Sequence, residues 1–261
     1  MLTLKSLIWD VDGTLAETER DGHRVAFNLA FQEFGLPWYW DETWYGRLLR
    51  VSGGRERLLA DMPTHREAPP DARMREILAR SLHARKNELY AALVDGGAIP
   101  LRDGVVDLMR ECRDRGVRMA IATTTSRGNV EALLRRHLGA DWCEWFQAIV
   151  CGEDVRRKKP DPEVYEHTLR LLGNDPLHTV AIEDSPLGVA AARAVDVPVL
   201  VTRSAYFADA AIDEAIAIGP GLDERARWRP VPGDAPSGSR RVGLDDIEAW
   251  LARSEVVSQF A

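Results

Sequence analysis

Short apolar runs separated by amphipathic stretches make up most of the chain. Five of these runs are rich in Val, Ile and Ala, which is typical of strands buried on both faces of a parallel sheet. The predicted strands are Leu4–Trp9, Val117–Thr123, Ala148–Cys151, Thr179–Glu183 and Val197–Val201. Helical periodicity separates the later strands, at Asp103–Arg115, Arg127–Leu138 and Pro162–Leu172. This alternation predicts the α/β class, with a doubly wound, Rossmann-like parallel sheet.

The residues between the first two strands follow a different pattern. They contain no strand-like run, and helical periodicity recurs at Glu19–Gly35, Asp41–Arg50, Arg55–Met62 and Pro70–Leu93. We therefore predict two domains: an α/β core formed by residues 1–15 and 96–261, and an inserted α-helical cap formed by residues 16–95. The glycine-rich exit Asp95–Ala98 favours a hinge, with a plain surface loop as an equal alternative.

Two segments receive only structural predictions. Trp38, Trp40 and Trp44 lie around a helix start, where clustered aromatic residues more often form the core of a small lobe than a wall for a ligand. The segment Gly219–Gly243 contains four prolines and five glycines, which predicts irregular backbone before a last helix at Leu244–Arg253.

Composition and charge narrow the class of ligand. The formal net charge is -7, so we expect neither nucleic acid nor a membrane as a partner, and any phosphate must be held by local groups. No apolar stretch approaches the roughly 18 residues of a membrane span, and the three cysteines form no paired framework. We expect a cytoplasmic monomer, or a protein of the plastid stroma if a transit peptide has been removed.

Polar side chains follow four of the predicted strands. In an open α/β sheet, ligands bind beyond the carboxyl ends of the strands, at the point where the strand order reverses. The residues at these ends are Asp10 and Asp12, then Thr123, Thr124 and Thr125, then Lys159, and finally Glu183 and Asp184. Each of these features is common alone, but together they are the groups that phosphoryl transfer requires.

The carboxylates receive distinct predicted roles. Asp10 is the candidate nucleophile, because a carboxylate that accepts the phosphoryl group splits one difficult displacement into two easier ones. Residues two apart in extended backbone point the same way, so Asp12 can act beside it, as general acid for the leaving oxygen and later as base for water. Mg²⁺ prefers oxygen ligands, which Asp10, Asp184 and the Asp12 carbonyl can supply, with Glu183 as a further candidate.

Lysine and threonine side chains complete the predicted site. Lys159 would neutralise charge on the aspartate and on the phosphoryl oxygens. The Thr123 hydroxyl and the Thr124 backbone N–H would donate hydrogen bonds to those oxygens. Thr124 and Thr125 are therefore candidate substrate contacts.

These residues resemble the four motifs of the haloacid dehalogenase-like superfamily: Asp10–Thr14, Thr123, Lys159–Pro162 and Glu183–Ser185. The resemblance implies a core sheet of strand order 3-2-1-4-5, a helical cap inserted after the first motif, and Mg²⁺ as the cofactor. Dehalogenating members lack the aspartate found here at Asp12, because a carbon–halogen bond needs no proton for its leaving group. Its presence implies a phosphatase or a phosphomutase.

Strings in the predicted cap are similar to those of the CbbY-type subgroup, close to β-phosphoglucomutase. They are Ala16–Glu19 with His23, Ser52–Arg57, and Arg85–Asn87. Members of this subgroup are known as phosphatases of xylulose 1,5-bisphosphate, so the resemblance implies a small phosphorylated sugar, a pentulose bisphosphate, as the substrate. Arg55 stands where the subgroup has lysine, which keeps the charge but changes the geometry of the donors.

A bisphosphate requires a second anion site away from the metal. The cap offers Arg50, Arg55 and Lys86 around the turn formed by Gly53 and Gly54, whose backbone N–H groups can approach a phosphate. We expect Arg57, on the same predicted helix, to be solvated.

Two more cap residues have two interpretations each. Glu17 either binds a sugar hydroxyl or forms a hydrogen bond at the hinge. His23 either contacts the substrate or forms a hydrogen bond within the cap or between the cap and the core.

Other functions fit the same residues less well. A β-phosphoglucomutase-like phosphomutase, which returns the phosphoryl group to the sugar, shares the core residues, as do other sugar-phosphate or phosphoglycolate phosphatases. A signalling receiver domain also uses an Asp, a Thr, a Lys and Mg²⁺, but its acceptor follows a middle strand and no cap interrupts its chain. A catalytically inactive binding relative is disfavoured by the intact motifs.

Overall fold

Six parallel strands form the central sheet of the computed structural model, which describes residues 3–232 and 239–258. Their order across the sheet is β3-β2-β1-β4-β5-β6. In chain order they are β1 Ser6–Trp9, β2 Arg118–Ala122, β3 Ala148–Val150, β4 Thr179–Glu183, β5 Val199–Thr202 and β6 Ala217–Gly219. The predicted class and the order 3-2-1-4-5 are confirmed, and β6 extends the sheet beyond β5 by one short strand.

Helices cover both faces of this sheet and form the long segment between its first two strands. In chain order they are α1 Arg24–Glu33, α2 Glu42–Leu48, α3 Gly54–Asp61, α4 Ala72–Asp95, α5 Val105–Arg115, α6 Arg127–Leu138, α7 Glu163–Leu172, α8 Pro186–Arg193 and α9 Leu244–Ser258. None of the helices in residues 3–232 and 239–258 combines the length and the apolar character that crossing a membrane requires.

The two faces of the sheet have separate hydrophobic cores. Leu7 and Trp9 of β1 pack into the core beneath α5, α6 and α9, whereas Ile8 packs into the core beneath α7 and α8. This division follows from the alternation of side chains along a strand. Burial on both faces explains why the strands appear in the sequence as continuous apolar runs.

The segment between β1 and α5, which we call the helical insert (residues 16–95), has a third core of its own. Trp38 and Trp40 are buried in it, in agreement with the structural interpretation of these tryptophans. The indole N–H groups of Trp40 and Trp44 donate to the buried Asp61 carboxylate, at 2.6 and 2.9 Å. The exact limits of the insert as a domain stay a prediction.

The insert begins with a π-helical turn, Glu19–His23, that leads into α1. The sequence predicted one continuous α-helix here. A π-helical turn holds more residues than an α-helical turn, and such turns occur frequently at functional sites. The site described below includes both ends of this turn.

The last predicted helix is longer than expected, since α9 continues to Ser258. The irregular segment before it is anchored where the structure describes it, because Trp228 stacks on Trp250 with 5.0 Å between ring centroids. Trp228 also donates to the Gly221 carbonyl at 2.8 Å. Residues 233–238 of the predicted irregular segment lie outside the described residues.

Candidate active site

Strand register brings the polar residues after β1, β2 and β4 to one edge of the sheet. Trp9 pairs with Ile121 of β2 on one side and with Ile182 of β4 on the other. Asp10 follows Trp9 and donates its backbone N–H to the Ile182 carbonyl at 3.0 Å. Asp10 therefore lies level with the last residues of both neighbouring strands, in the centre of the sheet.

Three buried carboxylates meet at this edge. Asp10, Glu183 and Asp184 each offer an oxygen within 4.8 Å of the other two. Burial, followed by repulsion from Glu183, raises the pKa of Asp10 to about 8, although Lys159 opposes the change. Burial and the charge of Asp10 also raise the pKa of Asp184 well above its usual value.

This cluster fits a divalent cation. Oxygen ligands from one or two carboxylates suit Mg²⁺, and a bound cation would stabilise the ionised forms that burial disfavours. Gly13 leaves room for the cluster, since a Cβ on it would lie 2.0 Å from an oxygen of Asp184. Asp10 and Asp184 would be the ligands of such a cation, since an oxygen of Glu183 already accepts from Lys159.

Lys159 holds two of these carboxylates together. Its Nζ donates to Asp10 at 2.7 Å, to Glu183 at 2.6 Å and to the Ala122 carbonyl at 2.9 Å. Burial lowers the pKa of Lys159, but the charges of Asp10 and Glu183 outweigh burial and raise it overall. Lys159 therefore stays charged beside the candidate nucleophile.

Glu183 supports Lys159 more directly than the sequence indicated. Its Oε1 accepts from Lys159 and from the Tyr165 hydroxyl, which lies 2.5 Å away. Its Oε2 is buried without a hydrogen-bond partner among the described residues and lies against Gly188. Glu183 thus belongs to the acidic cluster but already uses one oxygen to position the lysine.

Asp12 faces the helical insert. Its Oδ1 accepts from the Thr18 hydroxyl at 2.6 Å and lies 3.0 Å from His23 Nε2. Burial alone would raise the pKa of Asp12. The charge and hydrogen bond of His23 and the hydrogen bond of Thr18 outweigh burial, so the pKa lies below its usual value. Asp12 is therefore a carboxylate at neutral pH, the form that a general base requires.

His23 connects Asp12 to the rest of the insert. Its Nδ1 lies 3.4 Å from Lys86 Nζ, and its Nε2 lies 3.5 Å from the Thr125 hydroxyl. The hydrogen bond between the core and the insert, one of the two interpretations of His23, is thus present. His23 also lines the cavity described below.

The threonines after β2 occupy two layers. Thr123 is buried, and its hydroxyl accepts the backbone N–H of Thr125 at 3.2 Å. Thr124 and Thr125 line the cavity, and the Thr124 hydroxyl accepts from Ser52 of the insert at 3.2 Å. Thr124 and Thr125 are therefore accessible to a ligand in the cavity, and Thr123 lies beneath them.

A cavity of about 520 Å³ lies between the sheet edge and the helical insert. This volume suits a small phosphorylated metabolite. The predicted site residues that line it are Asp10, Asp12, His23, Gly53, Gly54, Arg55, Lys86, Thr124, Thr125, Lys159 and Asp184.

Two predicted substrate contacts do not reach this cavity. Arg50 is exposed just beyond the end of α2 and is not among the described residues that line the cavity, so its predicted role is corrected. Glu17 accepts the backbone N–H of Ala205 at 3.1 Å and lies 4.0 Å from Arg102. Glu17 therefore matches the interpretation as a hinge hydrogen bond rather than as a contact of a sugar hydroxyl.

Arg57 was expected to be solvated, and this prediction is wrong. Its side chain is only 6% exposed and pairs with Glu19 at 3.2 Å. It also donates to the Tyr45 hydroxyl at 2.6 Å, and that hydroxyl in turn contacts Glu19. A partly buried carboxylate and a buried phenol on other parts of the insert thus hold this arginine inside.

His83 and Lys158 also line the cavity, and the sequence assigned a role to neither. Burial, followed by repulsion from Lys86, lowers the pKa of His83 to about 3, so the imidazole is neutral. His83 precedes Lys86 by three residues on α4, a spacing that places both on one helix face. That spacing was the signal that could have found it.

A doubly wound sheet with this acidic cluster and buried lysine at its carboxyl edge defines an enzyme of phosphoryl transfer. The sequence profile of the haloacid dehalogenase-like hydrolase family matches residues 4–196. The chain belongs to that family, and the resemblance seen in the motifs is confirmed.

Relatives and solved structures agree with this assignment. The plasmid-encoded protein CbbY of Cupriavidus necator is 41% identical over 252 residues, which cover 95% of this chain and 96% of the relative. The crystal structure of CbbY from Rhodobacter sphaeroides in complex with phosphate is similar, with a TM-score of 0.76 and 38% identity over 82% of this chain and 92% of that one. A mutant of the same protein in complex with xylulose-(1,5)bisphosphate matches equally well.

Proposed function

We propose that this chain is a Mg²⁺-dependent phosphatase of phosphorylated sugars that forms an aspartyl phosphate on Asp10, with a pentulose bisphosphate such as xylulose 1,5-bisphosphate as its substrate. The observation that carries the proposal is the buried group of Asp10, Lys159 and Asp184 at the base of a cavity whose other wall holds Arg55 and Lys86. Groups suited to phosphoryl transfer and cations suited to anion binding thus line one cavity.

The sugar bisphosphate is supported by the similarity to Rhodobacter sphaeroides CbbY, whose mutant was crystallised with xylulose-(1,5)bisphosphate. This chain and that protein are 38% identical over 82% of this chain. The cations of the insert supply a physical reason, since a second phosphate needs positive charge away from the acidic cluster.

The first step transfers the phosphoryl group to Asp10. A carboxylate oxygen of Asp10 attacks phosphorus, the bond from phosphorus to the sugar oxygen breaks, and that oxygen takes a proton from Asp12. Lys159, held by Glu183, keeps positive charge beside the reacting oxygens. When bound by Asp10 and Asp184, Mg²⁺ would neutralise phosphoryl charge as a Lewis acid.

The second step releases inorganic phosphate. Asp12 takes a proton from a water molecule, the water oxygen bonds to phosphorus, and the bond to Asp10 breaks, which restores the free carboxylate. The hydrogen bonds from Thr18 and His23 favour the ionised Asp12 that this step needs. In the first step Asp12 must carry a proton, and a phosphate dianion placed beside it favours protonation by repulsion.

Phosphate release from a panel of sugar phosphates tests the proposal. We expect the wild-type chain with Mg²⁺ to release inorganic phosphate from pentulose bisphosphates with a higher kcat/KM than from the corresponding monophosphates, and chelation of the metal to abolish release. A preference for monophosphates would contradict the proposed substrate but not the proposed phosphatase activity. Formation of an isomeric sugar phosphate from a glucose phosphate, without phosphate release, would indicate a mutase instead.

A further inference from the structure

The cavity contains a cation that the mechanism above does not use. Lys158 lies on the loop between β3 and α7, directly before Lys159. Lys159 is buried and bonded to Asp10, whereas Lys158 is partly exposed and lines the cavity. The two consecutive lysines therefore lie in different parts of the same cavity.

Lys158 extends from the core towards the helical insert. Its Cδ lies 2.7 Å from the point where a Cβ on Gly53 would be, and its Nζ lies 2.9 Å from the corresponding point on Gly152. The absence of side chains at both glycines allows the lysine to pass between them. Gly53 also has a φ of +92°, a conformation that favours glycine. The Lys158 side chain is thus placed between a core loop and the turn that starts α3.

Positive charge surrounds this part of the cavity. The pKa of His83 is lowered by burial first, and then by Lys86, His23, Lys158 and Arg55. Several cations thus act on one neutral imidazole. Within residues 3–232 and 239–258, Lys158 makes no ion pair. An anion could therefore bind Lys158 without first breaking an ion pair between this lysine and a carboxylate.

Two carboxylates also line this region, and each has another partner. Glu56 Oε1 lies 3.4 Å from Arg55, while its Oε2 is buried beside Gly53 without a hydrogen bond among the described residues. Glu153 accepts the backbone N–H of Arg127 at 3.1 Å. Neither lies within ion-pairing distance of Lys158.

We propose that Lys158 binds the second phosphate of a sugar bisphosphate and thereby sets the preference for bisphosphates over monophosphates. This inference rests on the proposed phosphatase function and adds a residue that determines its specificity. Because Lys158 belongs to the core and the Gly53–Gly54 turn to the insert, a phosphate held by both would bridge the two parts. A monophosphate processed at Asp10 would lack that contact.

Kinetics of Lys158→Met in the full chain with Mg²⁺ test the inference, with a pentulose 1,5-bisphosphate and its monophosphates as substrates. A lost charge-assisted hydrogen bond predicts a kcat/KM about 10- to 100-fold lower for the bisphosphate. For the monophosphates we expect a change of less than about twofold. Lys158→Arg should restore most of the preference. Arg157→Met is the matched control, because Arg157 is 69% exposed and pairs with Asp161.

The possible results separate this inference from the proposed function. An unchanged preference in Lys158→Met would overturn the role of Lys158 and leave the function intact, and so would an equal loss on both kinds of substrate. A wild-type chain that hydrolyses monophosphates without favouring bisphosphates would overturn both. Thermal unfolding identifies any variant that fails to fold, in which case Lys158→Gln carries the same test.

Discussion

The sheet edge and the helical insert both contribute to the cavity, but their charged groups are held in different ways. At the sheet edge, Lys159 makes three contacts of 2.6 to 2.9 Å and is 5% exposed. In the insert, Arg55 is 41% exposed and pairs with Glu76 at 3.1 Å. Lys159 is held by its contacts before any ligand arrives, whereas Arg55 is exposed enough to rearrange around one. This difference suits chemistry at the sheet edge and selection of the substrate at the insert.

The largest expected effect belongs to the core. Asp10→Asn removes the proposed nucleophile, and we expect kcat to fall by about 10⁴-fold or more. Phosphate release from the bisphosphate measures the loss. Residual activity within tenfold of the wild type would contradict the role of Asp10. It would also contradict the assignment of the chemistry to the sheet edge rather than to the insert.

The same variant should be more stable than the wild type when metal is removed. The pKa of Asp10 is about 8 in the folded chain and about 4 in an unfolded one. The folded state therefore binds the extra proton between these values, and wild-type stability falls as pH rises from about 4 to about 8. Asparagine cannot ionise, so the advantage of Asp10→Asn in urea unfolding should grow across that range. A constant advantage would argue against the raised pKa.

A large effect on stability, rather than on chemistry, is expected in the insert. Arg57→Met leaves the partly buried Glu19 and the buried Tyr45 hydroxyl without their cation, which costs up to about 3–5 kcal/mol. Arg55→Met, on the same helix, removes an exposed pair worth less than about 1 kcal/mol. Urea unfolding of both variants measures the difference. Equal losses in the free energy of unfolding would mean that the two arginines contribute equally to stability.

A smaller effect is expected where the two regions meet. His23→Gln removes a charge that lowers the pKa of Asp12, so this pKa should rise and the low-pH limb of the rate profile should move to higher pH. We expect kcat at neutral pH to fall about tenfold. His137→Gln is the control, because His137 lies far from Asp12 in the sequence and its Nε2 bonds the Ile99 carbonyl at 2.9 Å. If the low-pH limb of the rate profile does not move, His23 does not control the pKa of Asp12.

The smallest effect is expected for Arg50→Ala. Arg50 is exposed outside the cavity, so kcat/KM for the bisphosphate should change by less than about twofold. Arg55→Ala, which removes a cation that lines the cavity, should reduce it more. A loss for Arg50→Ala as large as that for Arg55→Ala would restore Arg50 as a substrate contact.

The sequence predicts the core better than the insert for a physical reason. Parallel strands start and end together, so residues that follow them, such as Asp10 and Asp184, must meet at one edge. The strand β6 was missed because its three residues are too few to form a pattern. The register of the sheet therefore made four distant parts of the chain predictable as one site.

Helices of the insert offer no such rule. Arg50 and Arg57 flank the same turn, yet one is exposed and the other buried. Burial of Arg57 depends on Glu19, 38 residues away, and on Tyr45, 12 residues away. The π-helical turn at Glu19 also changes which residues share a face, which a regular helical period does not reveal. The burial of these arginines thus depends on side-chain partners from separate elements, which helical periodicity does not predict.

Chemical trapping of the intermediate shows whether Asp10 accepts the phosphoryl group. Asp12→Ala should slow hydrolysis of the aspartyl phosphate but not its formation from p-nitrophenyl phosphate, whose leaving group needs no proton, so the intermediate should accumulate when this variant is mixed with that ester and Mg²⁺ and quenched in acid. Borohydride reduces an aspartyl phosphate to homoserine, and peptide mass spectrometry then locates the modified residue. We expect homoserine at position 10. Modification at another residue, or none while phosphate is still released, would contradict it.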